Sequence, residues 1–360
     1  MASQSPPGRS LPGRSVHNLD LALQGGGAHG AFTWGVLDFL LEQPDMRFGA
    51  VSGASAGALN AAVLVSGLVE GGPEAAGKKL WAFWKALNRS GREAGPMLPM
   101  AEAFPLAFEA MSEWWTAMFQ DLSLPTSPEL GRSAQALLRR LIEEYVDFDA
   151  IRSADAPLIF VSATNARTGG AHIFRNEDLS ADALLASACL PLLFPPVTIK
   201  GADYWDGGYT ANPPIIPLVQ DSPNDDLLLV TINPITRDTT PHSPSGIANR
   251  ITELGFNQTL IKELRGLDLM QKAVLPLAPT NGLLGSLQRL RIHEIHDQAL
   301  LAGMDPGSKL LPVWHMLMKL HCAGRRSAKD WLRKKGRKLG KMSTVDLTDR
   351  YGPSLPPAES

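Results

Sequence analysis

Apolar positions along the chain switch between two spacings. Leu19 to Gln24 (LDLALQ) is a short apolar run that reads as a strand. Gly25-Gly26-Gly27 then turns into a segment with Phe32, Val36, Leu37, Leu40 and Leu41 at helical spacing, ending near Glu42. Phe48 to Ser52 starts the same grammar again, with a turn at Gly53 to Gly57 and an apolar helix through Val69. Strand, turn and helix twice over predict an α/β sheet with its sites at the carboxyl ends of the strands. An amphipathic helix follows over about 73–89, then a Met- and aromatic-rich stretch over about 96–122. A further helix opens at Ser127-Pro128-Glu129, where Ser caps and Pro takes the first helical position. Pro157 to Thr164 and Asp226 to Ile232 read as buried strands. The turn-rich region between them ends in Tyr204-Trp205-Asp206-Gly207-Gly208-Tyr209. Beyond Pro234 the chain reads as mostly helical, with a basic tail helix around 325–341. Residues 1–17, rich in Ser, Pro, Gly and Arg, read as a flexible leader.

The composition narrows the class. Hydrophobic residues make up 44% and charged residues 19% of 360 positions, which excludes a disordered chain and supplies a sizeable core. The length suggests two domains, or one large domain with an extension. A formal charge of −2 argues against bulk nucleic-acid binding, for which a basic surface is the usual footprint. The two cysteines, Cys189 and Cys322, cannot form a disulfide framework, so a reducing compartment is expected. No secretory signal is expected, because the first residues contain no sustained apolar run. Phe48 to Val69 is uncharged and long enough to span a bilayer, but Ser52, Ser55, Asn60, Ser66 and its glycines suit a buried helix better. The expected location is the cytoplasm, with peripheral contact at a membrane left open.

Three motifs carry chemistry. Gly53-Ala54-Ser55-Ala56-Gly57 is a G-x-S-x-G between a strand and a helix. A serine hydroxyl is a weak nucleophile unless exposed, oriented and offered a base, and a sharp elbow with small neighbours does the first two. Gly25-Gly26-Gly27-Ala28-His29-Gly30 fits a dinucleotide loop, but Glu42 and Asp45 do not end a second strand as a ribose partner should. Its alternative is an oxyanion hole of closely approaching amides, favoured by the serine one unit later. Asp206-Gly207-Gly208 suits a carboxylate held at a tight turn, where it could serve Ser55 as base.

In this order the three motifs resemble the patatin-like phospholipase family, as does the stretch Ala183–Pro214 with Ser187, Pro191, Phe194-Pro195-Pro196 and Asn212-Pro213-Pro214. The resemblance covers about residues 19–220. It implies a three-layer patatin-like α/β fold with a central, mostly parallel sheet. Residues 221–345 would then add a last strand and a helical C-terminal extension. It also implies a Ser55–Asp206 dyad, with oxyanion amides from Gly25, Gly26, Gly27 and Ala28. Gly30, Gly53, Gly57, Gly207 and Gly208 complete the motifs. The implied activity is hydrolysis of acyl esters in phospholipids and related lipids, with no metal or other cofactor. One departure is His29, where the family often carries Arg or Lys; a neutral imidazole brings less positive charge to the loop.

Alternatives stay open from sequence. Ser55, Asp206 and then His293 or His296 follow the Ser…Asp…His order of α/β-hydrolases. A non-catalytic lipid-binding scaffold on the same fold is a further class, and a nucleotide-dependent oxidoreductase a more distant one. His293-Glu294-Ile295-His296, in an Arg-rich amphipathic segment, reads as surface or capping rather than a metal site. Met97, Met100, Met111 and Met118 with Phe104, Phe108, Trp114, Trp115 and Phe119 suit either an acyl groove or ordinary core. The basic tail helix could dock on anionic lipid or remain a solvated helix that packs only Trp331 and Leu332.

Overall fold

The computed structural model describes residues 16–93, 128–191, 193–242, 244–279, 281–304 and 306–352. The Met- and aromatic-rich stretch, the proposed cap Ser127 and residues 1–15 of the leader lie outside the described residues.

Strand β1 (His17–Leu23) runs into helix α1 (Gly30–Leu41) and returns as β2 (Met46–Gly53). Helix α2 (Ala56–Glu93) follows, kinked at Gly71 and Gly72 before Pro73, so that the two predicted helices are joined with only a break between them. After α3 (Pro128–Tyr145) and α4 (Phe148–Arg152) come β3 (Leu158–Asn165), β4 (Ala171–Phe174), α5 (Ala181–Ser187), β5 (Val197–Ile199) and β6 (Ala202–Asp206). The predicted turn-rich region is therefore a set of short antiparallel strands around β3. The chain then crosses back through α6 (Ile216–Asp221) to β7 (Asp226–Val230), α7 (Pro244–Val274), α8 (Gly282–Arg289) and β8 (Arg291–Ile295). It ends in α9 (Gln298–Ala302), α10 (Trp314–Lys335) and α11 (Leu347–Tyr351).

The strands form one sheet in the order β5-β6-β3-β2-β1-β7-β8, with β4 on β3. The pairs β2–β1, β1–β7, β7–β8 and β2–β3 are parallel. Period-2 alternation sends successive side chains to opposite faces, and two separate cores result. Leu19, Leu21, Leu23, Val51, Ile159, Val161, Leu228 and Val230 pack with α1, α2, α5 and α10. Ala22, Ala50, Phe160, Leu227 and Leu229 pack with α6, α7, α8 and α11. Helices cover both faces, so the sheet is the middle of three layers and its central strands turn apolar residues to both sides. After β1 the chain moves to β2 on one side, and only much later to β7 on the other. That reversal opens a crevice at the carboxyl end of β1, where ligands bind in open α/β sheets.

Two expectations need correction. The region beyond β7 is mostly helical as expected, but Arg291–Ile295 is a buried strand at the sheet edge rather than a surface segment. Its polar side chains are satisfied internally, which hid the strand from a hydrophobicity reading. The basic helix also does not float: it begins at Trp314 and lies along α1. Gly35 and Gly324 allow that approach, since a Cβ on either would overlap the backbone carbonyl of His321 or Phe32.

Candidate active site

Ser55 sits between β2 and α2 with φ of 51°, a left-handed conformation that few non-glycine residues adopt. Such strain, about 1–3 kcal/mol, persists only where the surroundings over-determine it. Here a Cβ on Gly53 would strike the backbone of Gly57, and one on Gly57 would strike the carbonyl of Leu23. Only glycines fit, which is the physical content of the motif. The Ser55 amide donates to Ser187 Oγ at 3.0 Å, fixing the elbow against α5. The first turn of α2 lies directly behind, presenting the positive end of its dipole.

Asp206 ends β6 and is fully buried. Its amide donates to the Cys189 carbonyl at 2.8 Å, and its carbonyl accepts from Thr164 Oγ1 at 2.8 Å. Gly208 N donates to Oδ1 at 2.8 Å. Gly207 has no room for a Cβ against Ser162, nor Gly208 against the Phe256 ring, so both glycines are required to hold the carboxylate in place. Burial pushes the Asp206 carboxyl up to about 7, against the opposing pull of the Gly208 amide and the Ser55 hydroxyl. Ser55 thus faces the carboxylate, yet Oδ2 has no well-formed hydrogen bond. Such a loose contact is common in sites without substrate. The shielding comes from neighbours that sense the same charge. The Cys189 thiol is pushed up to about 12 by its burial and by Asp206, and Tyr209 is raised for the same two reasons. Tyr204 instead faces His172 and Phe174, whereas Tyr209 feels the carboxylate.

The glycine loop runs past the nucleophile. A Cβ on Gly25 would come within 2.8 Å of Ser55 Cβ. The four predicted oxyanion residues are not equivalent. Gly25 N already donates to Asn212 Oδ1 at 2.7 Å. Among the described residues, no hydrogen bond occupies the amides of Gly26, Gly27 or Ala28. Gly27 has φ of 57°, and a Cβ there would strike the Lys309 carbonyl, two reasons for glycine. Gly30 packs against Ala56 and Trp84. His29 is buried, its Nε2 paired with Ser308 Oγ at 2.8 Å, and burial together with the charges of Lys309 and Arg237 holds its pKa well below the usual imidazole value.

The alternative bases lie elsewhere. His293 is buried on β8 between Asp226 Oδ1 at 2.9 Å and Thr344 Oγ1 at 3.1 Å. His296 is exposed at the end of the same strand. No hydrogen bond among the described residues joins either histidine to Ser55 or Asp206. Glu294 is taken by Thr231, Arg350 and Tyr351. The structure therefore brings Ser55, Asp206 and the glycine loop together and leaves the histidines apart.

Several site residues were not singled out from sequence. Gln24 Oε1 accepts the amides of Ile232 and Asn233 at 2.8 and 2.9 Å, and its Nε2 donates to Asn257 Oδ1 at 3.1 Å. Asn233 Nδ2 donates to the Gly25 carbonyl at 2.7 Å. The signal available was position: Gln24 and Asn233 are the polar residues that follow the apolar runs of β1 and β7.

No helix among the described residues is long and apolar enough to cross a membrane. No curated protein matches the chain. Among solved structures, VipD from Legionella pneumophila shares 14% identity over 94% of this chain and 73% of its own, with a TM-score of 0.41. The type III effector ExoU shares 15% identity over 94% of this chain and 78% of its own, with a TM-score of 0.28. ExoU of Pseudomonas aeruginosa in complex with SpcU gives 17% identity, 94% and 76% coverage and a TM-score of 0.26. The assignment rests instead on sequence, because the Patatin-like phospholipase profile matches residues 21–219, which hold the glycine loop, the serine elbow and the D-G-G turn. This chain belongs to the patatin-like phospholipase family.

Proposed function

We propose that the protein is a serine-dependent lipid acyl-ester hydrolase working through a Ser55–Asp206 dyad. Family membership gives the general class, lipid hydrolysis. The observation that carries the finer reading is a buried carboxylate of raised pKa facing a serine on a strained elbow. Ser55 Oγ attacks the acyl carbonyl while Asp206 takes its proton. The oxyanion that forms is met by the unoccupied amides of Gly26, Gly27 and Ala28. Gly25 belongs to the loop, but with its amide engaged it acts by bringing the backbone close to Ser55. Asp206 returns the proton to the leaving alkoxide, then deprotonates the water that hydrolyses the acyl-enzyme, releasing a fatty acid. No imidazole takes part, and no metal or cofactor is required by these steps.

The carboxyl-terminal region from 221 onward, in this reading, completes the site rather than forming a separate unit. Peripheral contact with anionic lipid is proposed for the exposed basic end of α10. The test of function is hydrolysis across a panel of phospholipids and soluble esters by wild type beside Ser55→Ala. Ester hydrolysis that disappears with the hydroxyl, in a variant of unchanged melting temperature, is expected. Equal hydrolysis by purified Ser55→Ala contradicts the reading.

A further inference from the structure

The oxyanion loop is held from behind by residues that lie outside the family match. Asn233 is the hinge of this arrangement. Its amide donates to Gln24 Oε1, its Nδ2 to the Gly25 carbonyl, and its Oδ1 accepts from Lys309 Nζ at 2.7 Å. That same Oδ1 lies 3.3 Å from where a Cβ on Gly26 would be. The backbone of Lys309 meanwhile abuts Gly27, and the preceding residue, Ser308, binds the His29 imidazole. One short turn, Pro306–Leu310, thus meets the loop at Gly27 and His29 and reaches Gly25 through Asn233.

The charge in this place is unusual. Lys309 keeps only 17% of its side chain exposed, and Nζ is 3.9 Å from Glu253 Oε1. Glu253 also binds Arg237 at 2.9 Å and Arg250 at 2.6 Å. Burial works against the Glu253 charge, but Arg237, Lys309 and Arg250 outweigh it and keep its pKa below the usual value. Three cations therefore share one carboxylate, and the surplus positive charge stands beside a loop whose amides point to a developing anion. In a desolvated site such fixed charge acts far more strongly than in water.

We propose that Lys309 is the positioning residue of the oxyanion loop: through Asn233 it fixes the Gly25 carbonyl and hence the orientation of the Gly26, Gly27 and Ala28 amides, while its charge favours the oxyanion they bind. This rests on the serine-hydrolase reading. The groups facing Lys309 are Glu253, Arg237, Arg250 and, across the loop, neutral His29. Burial, with Glu253 opposing and the two arginines adding, lowers the ammonium to about 8. Above that value the charge is lost, so activity acquires an alkaline limb that neither Ser55 nor Asp206 explains.

The test uses Lys309→Met, whose side chain has similar length, with a soluble short-chain ester and rates normalised to sites titrated by a fluorophosphonate. Expected are a fall in kcat of about 10- to 100-fold, KM within about twofold, and loss of the alkaline limb. Because Lys309 acts in part through Asn233, Asn233→Ala should show a smaller loss of the same kind, and the double variant should be little worse than Lys309→Met alone. Lys309→Cys treated with 2-bromoethylamine regains an ammonium and should regain kcat; wild type treated alike controls for the exposed Cys322. A purely structural lysine gives the contrary pattern: normal kcat per titrated site, an unchanged alkaline limb and no recovery on aminoethylation. If Ser55→Ala is inactive while Lys309→Met matches wild type, this inference falls and the hydrolase reading stands. If Ser55→Ala retains full hydrolysis, the hydrolase reading itself falls.

Discussion

Two aspartates at opposite ends of the same sheet differ in almost everything except burial. Asp206, at the carboxyl end, accepts one backbone amide and faces one serine, and its carboxyl rises to about 7. Asp226 opens β7 at the amino end, where it accepts from His293 at 2.9 Å, from Arg291 at 2.9 and 2.8 Å and from Gly340 N at 3.1 Å. Burial opposes its charge too, but His293, Arg291 and Gly340 outweigh it and hold its pKa well below the ordinary carboxylate range. Burial with few partners raises a carboxyl's affinity for its proton; burial among cations and donors makes a clasp. The amino end ties β7, β8 and the segment after α10 together, while the carboxyl end leaves Oδ2 of Asp206 without a well-formed partner.

The sharpest way to break this contrast is Asp206→Asn. Turnover should fall about 10³-fold, since an amide cannot take the serine proton. Stability should move the other way. Because the folded pKa lies above 3.8, the folded state binds the proton more tightly, and wild type loses stability as pH rises from about 4 to 7. The full shift corresponds to about 4 kcal/mol at most, so the variant's melting temperature should exceed wild type at pH 8 and the gain should vanish near pH 4. A variant less stable than wild type at pH 8 would contradict the strain assigned to this carboxylate.

Gly27→Ala comes next. Its positive φ and the adjacent Lys309 carbonyl leave no room for a methyl group, so the amide row must shift and turnover should fall about 10²-fold. Activity within twofold of wild type would remove the loop from the oxyanion. Asp226→Asn should do the opposite of Asp206→Asn. Turnover per folded molecule should be unchanged, while urea denaturation at pH 7 should show a loss of about 3 kcal/mol from breaking a buried pair. Its folded pKa is depressed, so that stabilisation is present above about pH 4 and fades as pH falls. His293→Ala should likewise lose stability and keep turnover; loss of turnover would revive a triad.

The smallest effect concerns the basic end of α10. It lies at the amino edge, since Gly340 binds Asp226 and Trp331 packs on His293. One strand length, about 15 Å, separates that edge from Ser55, so lipid bound there would tether the protein without feeding the site. Reversing Arg333, Lys334 and Arg337 to Glu should weaken sedimentation with anionic vesicles at low salt by about tenfold or more, at roughly 1 kcal/mol per residue near the surface, and leave soluble-ester turnover intact. Equal sedimentation would dismiss the contact.

What was legible in the sequence was whatever the backbone itself demands. Ser55 announces its elbow because only small residues tolerate it, and Asp206 is marked by two glycines that Ser162 and Phe256 leave no room to replace. The long parallel strands were readable because both faces are covered, so runs such as Leu19–Leu23 and Leu227–Val230 are mostly apolar. The edge strand β8 was not, since His293 and Glu294 resemble a surface segment until Asp226, Arg350 and Tyr351 are seen to satisfy them. Nor could local pattern separate Gly25 from Gly26, because the amide of Gly25 is occupied by Asn212, far along the chain. Lys309 is the extreme case: nothing around it in sequence marks it, and only the fold brings it to the loop.

The central claim is that Ser55 is activated by a buried carboxylate of raised pKa. Its most direct test is the rate of fluorophosphonate labelling from pH 5 to 9, with the modified residue identified by mass spectrometry. The account predicts a single adduct on Ser55 whose rate rises through about pH 7 and collapses in Asp206→Asn. An adduct on another residue, or a Ser55 labelling rate that ignores Asp206→Asn, would contradict it.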